Sequence, residues 1–219
     1  TDFSEEGELS PEIRRLITPS LTAFQKGEQS EGTFLRRAAE EFSADQREPS
    51  YPEAIKWFIR EENMHSAYLA QYMKKHDIKK RKSNFLDVLF RRLRQQKGIY
   101  SEVTVLVTAE IIALSYYTAL GNAVSSQALK RICCQMLHDE LPHVIFQSYT
   151  LSHFKKGVRD TSGRIFLMEI SCVAVWAVYG NVFRAGGYSF HRFRSDSLKY
   201  LRQSLDLSET MRRKKIYQN

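Results

Sequence analysis

Chain breakers are scarce in this sequence. Ten glycines and five prolines among 219 residues leave long stretches without a turn signal. That argues against a turn-rich β-protein and for an all-α one, and valine and isoleucine recur at helical rather than alternating spacing. Cysteine is nearly absent. Cys133, Cys134 and Cys172 are an odd number with no Cys-x-x-Cys, which excludes a disulfide framework and a rubredoxin-like iron site and fits a reducing cytoplasm. No secretory signal is visible. The longest apolar stretch, within 161–184, is interrupted by Glu169, so it reads as a buried helix rather than a membrane span, which needs about 20 apolar residues. Charge is unbalanced, with 33 Lys and Arg against 25 Asp and Glu and a net +8. Such an excess suits an acidic partner, but no DNA- or RNA-binding module accompanies it, so nucleic acid is not expected.

At 42% hydrophobic residues the chain can bury a full core, and it reads as a single domain over 1–219. A bundle core is expected over about 19–156, with accessory C-terminal helices over 161–215. The first long helix is expected to begin near Pro19, a residue tolerated at a helix start, and to run through Glu31 to about Ala44. Pro49 and Pro52 mark a turn, and a second helix covers about 52–76. Residues 84–97 form an amphipathic segment, with Phe85, Leu86, Leu89, Phe90 and Leu93 on one stripe and Arg91, Arg92, Arg94 and Lys97 opposite. It suits a crossover between two hairpins. Helices follow over about 99–122, 125–156 (with Pro142 inside) and 161–184, then one or two short ones.

Within this pattern lie two copies of Glu-x-x-His, Glu62-Asn63-Met64-His65 and Glu140-Leu141-Pro142-His143. Residues three apart share a helix face, so each copy aims a carboxylate and an imidazole at one point. Glu31 precedes Glu62 by 31 residues, and Glu110 precedes Glu140 by 30. About 30 residues is a helical hairpin, so each lone glutamate can stand level with the motif on its partner helix. Glu28 and Glu40 compete with Glu31; Glu40 lies too near the turn, Glu28 is one turn further away, and Glu31 is favoured. Four carboxylates and two imidazoles converging in a bundle are the ligand set of ferritin-like di-iron and di-manganese proteins. Six such ligands exceed the needs of one zinc and suit two irons, or a Mn/Fe pair. Glu62 and Glu140 are the expected bridges, with Glu31, His65, Glu110 and His143 terminal.

At Glu61-Glu62-Asn63-Met64-His65-Ser66 and Asp139-Glu140-Leu141-Pro142-His143 the chain resembles the soluble acyl-carrier-protein desaturases, loosely over residues 27–155. The resemblance implies a ferritin-like four-helix bundle with additional helices, and a di-iron site of Glu31, Glu62, His65, Glu110, Glu140 and His143. It also implies that Asp139 hydrogen-bonds the imidazole of His65. It further implies a dioxygen-dependent oxidase, oxygenase or desaturase acting on an apolar, carrier-bound substrate. Expected partners are an acidic acyl carrier protein, an electron donor such as ferredoxin and a second copy in a homodimer. The family has Thr where this chain has Ala113, and Trp57 and Trp176 are its only tryptophans. A ferroxidase or peroxide-scavenging iron protein is the alternative.

Overall fold

The computed structural model describes residues 7–29, 32–80, 98–154 and 157–216. Among them the chain is all-α, with no strand. The helices are α1 (Pro11–Glu28), α2 (Thr33–Gln46), α3 (Tyr51–Lys75), α4 (Gly98–Ala123), α5 (Gln127–Ser152), α6 (Val158–Ala185) and α7 (Phe190–Ile216). The amphipathic segment expected over 84–97 lies outside the described residues.

The expected single first helix is two. Ser10 starts α1 by accepting a hydrogen bond from the Ile13 amide, with Pro11 in the first turn, where its missing N–H costs nothing. Pro19 therefore sits inside α1 rather than at its start. The chain then turns at Gly32, whose φ is +69° and where a Cβ would lie 2.5 Å from Ile59 Cδ1. Only glycine meets both demands, and α2 begins anew beyond it. At the other end, the expected short C-terminal helices are one 27-residue helix, α7.

Side-chain contacts give the helix directions. Arg14 reaches the Asp77 carbonyl and Gln25 reaches Ser66, so α1 and α3 run antiparallel. Tyr51 meets Thr150 and His65 meets Asp139, so α3 and α5 do too. Only Val124, Ser125 and Ser126 separate α4 from α5, and the Ser126 hydroxyl caps α5 through the Leu129 amide at 3.0 Å. That tight link makes a second antiparallel hairpin. The α6–α7 pair packs on the outer side of α4 and α5. Its tip approaches so closely that a Cβ at Gly186 would sit 2.1 Å from the Ala119 carbonyl oxygen.

Among the described residues two helices, α4 and α6, are long and apolar enough to cross a membrane by length and composition. The apolar stretch of α4 is 83% buried in the protein, as a core helix is. That of α6 is only 39% buried, so the fully buried helix expected over 161–184 is in fact half-open, with Phe166, Ile170, Val173 and Val178 exposed. The sequence is apolar around the helix, but α1, α4 and α7 together cover only one side of it.

Candidate metal centre

Four helices deliver six ionisable side chains to one interior point. The last turn of α1 supplies Glu28, α3 supplies Glu62 and His65, α4 supplies Glu110, and α5 supplies Glu140 and His143. All six are buried, from 0% exposure for Glu140 to 7% for Glu28. Carboxylates are almost never fully buried unless paired or bound to a metal. Their donor atoms form two overlapping groups, each within 4.8 Å: Glu28, Glu62, His65 and Glu140, and Glu62, Glu110, Glu140 and His143. Glu62 and Glu140 belong to both.

Each histidine is held by an acid from the opposite motif. His65 Nε2 lies 3.1 Å from Asp139 Oδ2, and His143 Nε2 lies 3.0 Å from Glu61 Oε2. Asp139 is half-buried, and burial pushes its pKa up, but hydrogen bonds from Gln135, His138 and His65 outweigh this and hold it below the ordinary value. An ionised carboxylate only accepts, so Nε2 of His65 carries the proton and Nδ1 keeps its lone pair. Burial also lowers the His65 pKa and keeps the ring neutral. Nδ1 of His65 then faces Glu62 Oε1 and Glu140 Oε1, both at 3.6 Å, with no hydrogen bond of its own. Nδ1 of His143 faces Glu62 Oε1 and Glu140 Oε2, both at 3.3 Å. Outer acids fixing the tautomer of inward-facing imidazoles is how proteins prepare histidine for a metal.

The carboxylates repel one another. Burial first, and then Glu110, push the Glu28 pKa up to about 8. Burial and the surrounding Glu110, Glu28 and Glu62 drive that of Glu140 well above the ordinary value. The Tyr117 hydroxyl donates to Glu28 Oε1, and the Gln147 amide donates to Glu110 Oε1 at 3.0 Å. The Phe58 ring meets His143 edge-on at 4.8 Å. Protons thus neutralise a cluster that divalent cations would neutralise better. The unbonded Nδ1 of His65 and Oε1 of Glu140 fit that reading.

Glu62, His65, Glu110, Glu140 and His143, all singled out from the sequence, are brought together, and Asp139 lies against His65. Glu31 lies outside the described residues. Glu28, weighed against it, supplies the sixth side chain, because α1 ends there instead of running on. Sequence reasoning missed Glu61, although it precedes Glu62 as Asp139 precedes Glu140, and that repeat was the available signal. It also missed Tyr117 and Gln147, whose roles depend on packing alone. Behind His65 a pocket of about 280 Å³ opens between α3 and α5, lined by Trp57, Arg60, Glu61, Met64, Tyr68, Gln135 and Asp139.

The outer acids yield a prediction. Asp139→Asn and Glu61→Gln should each weaken metal binding about 10- to 100-fold, measured by competition with a chromophoric chelator. Unchanged affinity in both would show that neither orients its histidine.

No family model, no curated protein and no solved structure matches this chain; its own geometry makes it an all-α protein whose buried Glu/His cluster can hold a metal ion.

Proposed function

We propose that the chain is a ferritin-like di-iron oxidoreductase that activates dioxygen to oxidise an apolar substrate, such as an acyl chain. The observation that carries this reading is the pair of overlapping donor groups sharing Glu62 and Glu140. Two shared carboxylates are the natural bridges for two cations, Glu28 and His65 would complete one site, and Glu110 and His143 the other. Mixed carboxylate and imidazole donors suit iron or manganese better than zinc, which settles for four ligands. Bound there, two ferrous ions supply the electrons for dioxygen reduction.

The protein's part is binding, orientation and exclusion of water. Asp139 and Glu61 hold the imidazoles. The Tyr117 hydroxyl holds a proton against Glu28 Oε1. Phe58 on α3 and Tyr117 on α4 are buried and touch the cluster, so its surroundings are largely apolar. The basic chain suits an acidic carrier for that substrate and an acidic electron donor.

Anaerobic loading with ferrous iron followed by oxygen tests the reading. The expected result is a single oxygen-dependent absorbance change and oxygen uptake that stops once the sites are oxidised. Continuous uptake in excess ferrous iron would instead make the protein a ferroxidase, and no uptake at all would leave a structural bundle.

A further inference from the structure

Buried polar atoms almost always have a hydrogen-bond partner. Outside the metal cluster, four of the exceptions among the described residues fall together: Nε and Nη1 of Arg164, Oδ2 of Asp160 and Oγ1 of Thr104. The α4–α5 hairpin brings this about because it serves two groups of helices. One side of it completes the metal cluster with α1 and α3, and the other packs on α6 and α7. Tyr100 meets Asp160 at one end of α4 and α6, and Ala119 meets Gly186 at the other, so these two helices run parallel. Thr104 and Arg164, each one turn further on, therefore stand level.

Arg164 is 2% exposed. Burial pulls its pKa down to about 10, so it is charged at neutral pH, and a buried cation is costly unless paired. Its one hydrogen bond is long, from Nη2 to Ser204 Oγ on α7 at 3.3 Å. The Ser204 hydroxyl is shared at 2.7 Å with Ser148 on α5. The other small hydroxyls turn onto their own helices, Ser148 donating to the Val144 carbonyl and Ser208 to that of Ser204. Asp160 lies one turn before Arg164 and accepts from the Tyr100 hydroxyl through Oδ1, but its Oδ2 and the two free nitrogens of Arg164 do not reach each other. Glu102, two residues and so about 200° round α4 from Tyr100, stands on the opposite side of that helix.

These atoms define what would pair them. Guanidinium nitrogens only donate, so the ligand must present an anionic acceptor. Asp160 Oδ2 accepts, so the ligand must also donate. Four residues along a helix span about 6 Å, which sets the ligand's two ends a few atoms apart, and the Thr104 hydroxyl can serve either end. A plain anion such as acetate or phosphate would suit Arg164 and leave Asp160 facing a like charge. We infer that this end of the α4–α7 helices binds a small carboxylate with a hydrogen-bond donor on its α-carbon, the shared chemistry of α-amino and α-hydroxy acids. The carboxylate lies on Arg164 and the amino or hydroxyl group on Asp160 Oδ2. Tyr100 and Asp160 are only half-buried, so the ligand enters past them. None of these residues belongs to the metal cluster, and binding is independent of metal.

Thermal unfolding of the full chain with glycine, glycolate, acetate or phosphate, at constant ionic strength, is the test. Glycine or glycolate should raise Tm in a saturable way, the stronger of the two identifying the donor, while acetate and phosphate leave Tm unchanged. Arg164→Met should abolish the shift with helical circular dichroism intact, because an apolar side chain of similar size is tolerated in place of a buried charge. Asp160→Asn, which keeps Arg164, should weaken binding about 10- to 100-fold. An equal shift in Arg164→Met would overturn the inference by placing the ligand elsewhere, on the metal cluster included. So would acetate or phosphate matching glycolate, which would leave Asp160 without a role. No shift with any of the four would overturn it too, and would assign water to the space between Arg164 and Asp160.

Discussion

Replacing Glu140 by alanine is expected to remove both metal ions, not one. Its carboxylate faces both histidines, 3.6 Å from His65 Nδ1 and 3.3 Å from His143 Nδ1, and it belongs to both donor groups. Glu62→Ala should behave the same way, because Glu62 Oε1 also faces both imidazoles. Glu28→Ala should spare one ion, since Glu28 enters only the group that contains His65. Iron measured after reconstitution and desalting should fall from about two per chain to near zero in the first two variants and to about one in the third. Full iron content in Glu140→Ala would refute its bridging role.

The second large effect is on stability. In the metal-free protein, the Glu28 carboxyl titrates at about 8 instead of the ordinary 4.5, and Glu140 lies well above the ordinary value. The folded state therefore binds more protons than the unfolded chain above pH 4.5. Stability that is fully present below the unfolded pKa is lost as pH rises through the folded one. His65 acts oppositely, since burial lowers its pKa and its contribution is lost as pH falls below its ordinary 6.5. Above pH 7 the carboxyls dominate, and the Cys133 and Cys172 thiols, which burial also pushes up, add a smaller loss of the same sign towards pH 9. Between pH 7 and 9 the loss should be on the order of 1–4 kcal/mol, or a fall in Tm of roughly 2–16 °C for a chain of this size. Metal-loaded protein should show little of this slope, because cations replace the protons. Thermal scans at constant ionic strength decide it. A metal-free Tm that rises over this range would contradict the burial of the carboxyls.

Much of the helical architecture was legible because its signals are local. Apolar residues at helical spacing place α3, α4 and α5 within about two residues at most of their ends, and Glu-x-x-His fixes which face of α3 and α5 turns inward. The α1–α2 break was not legible. Gly32 gives no stronger sequence signal than Gly27, and only contact with Ile59 shows that the chain must turn there. The break also ends α1 at Glu28, which places that side chain in the cluster. The half-open α6 was hidden for a different reason: hydropathy gives how apolar a helix is, but not how many neighbours remain to cover it. Tyr117 and Gln147 reach the cluster across helices from positions no spacing rule marks.

The central claim is that two cations share Glu62 and Glu140. Anomalous diffraction at the iron edge from crystals of iron-loaded protein tests it most directly. Two iron peaks are predicted, one against Glu28 and His65 and one against Glu110 and His143, with both shared carboxylates between them. A single peak on four ligands, or none within the cluster, would contradict it.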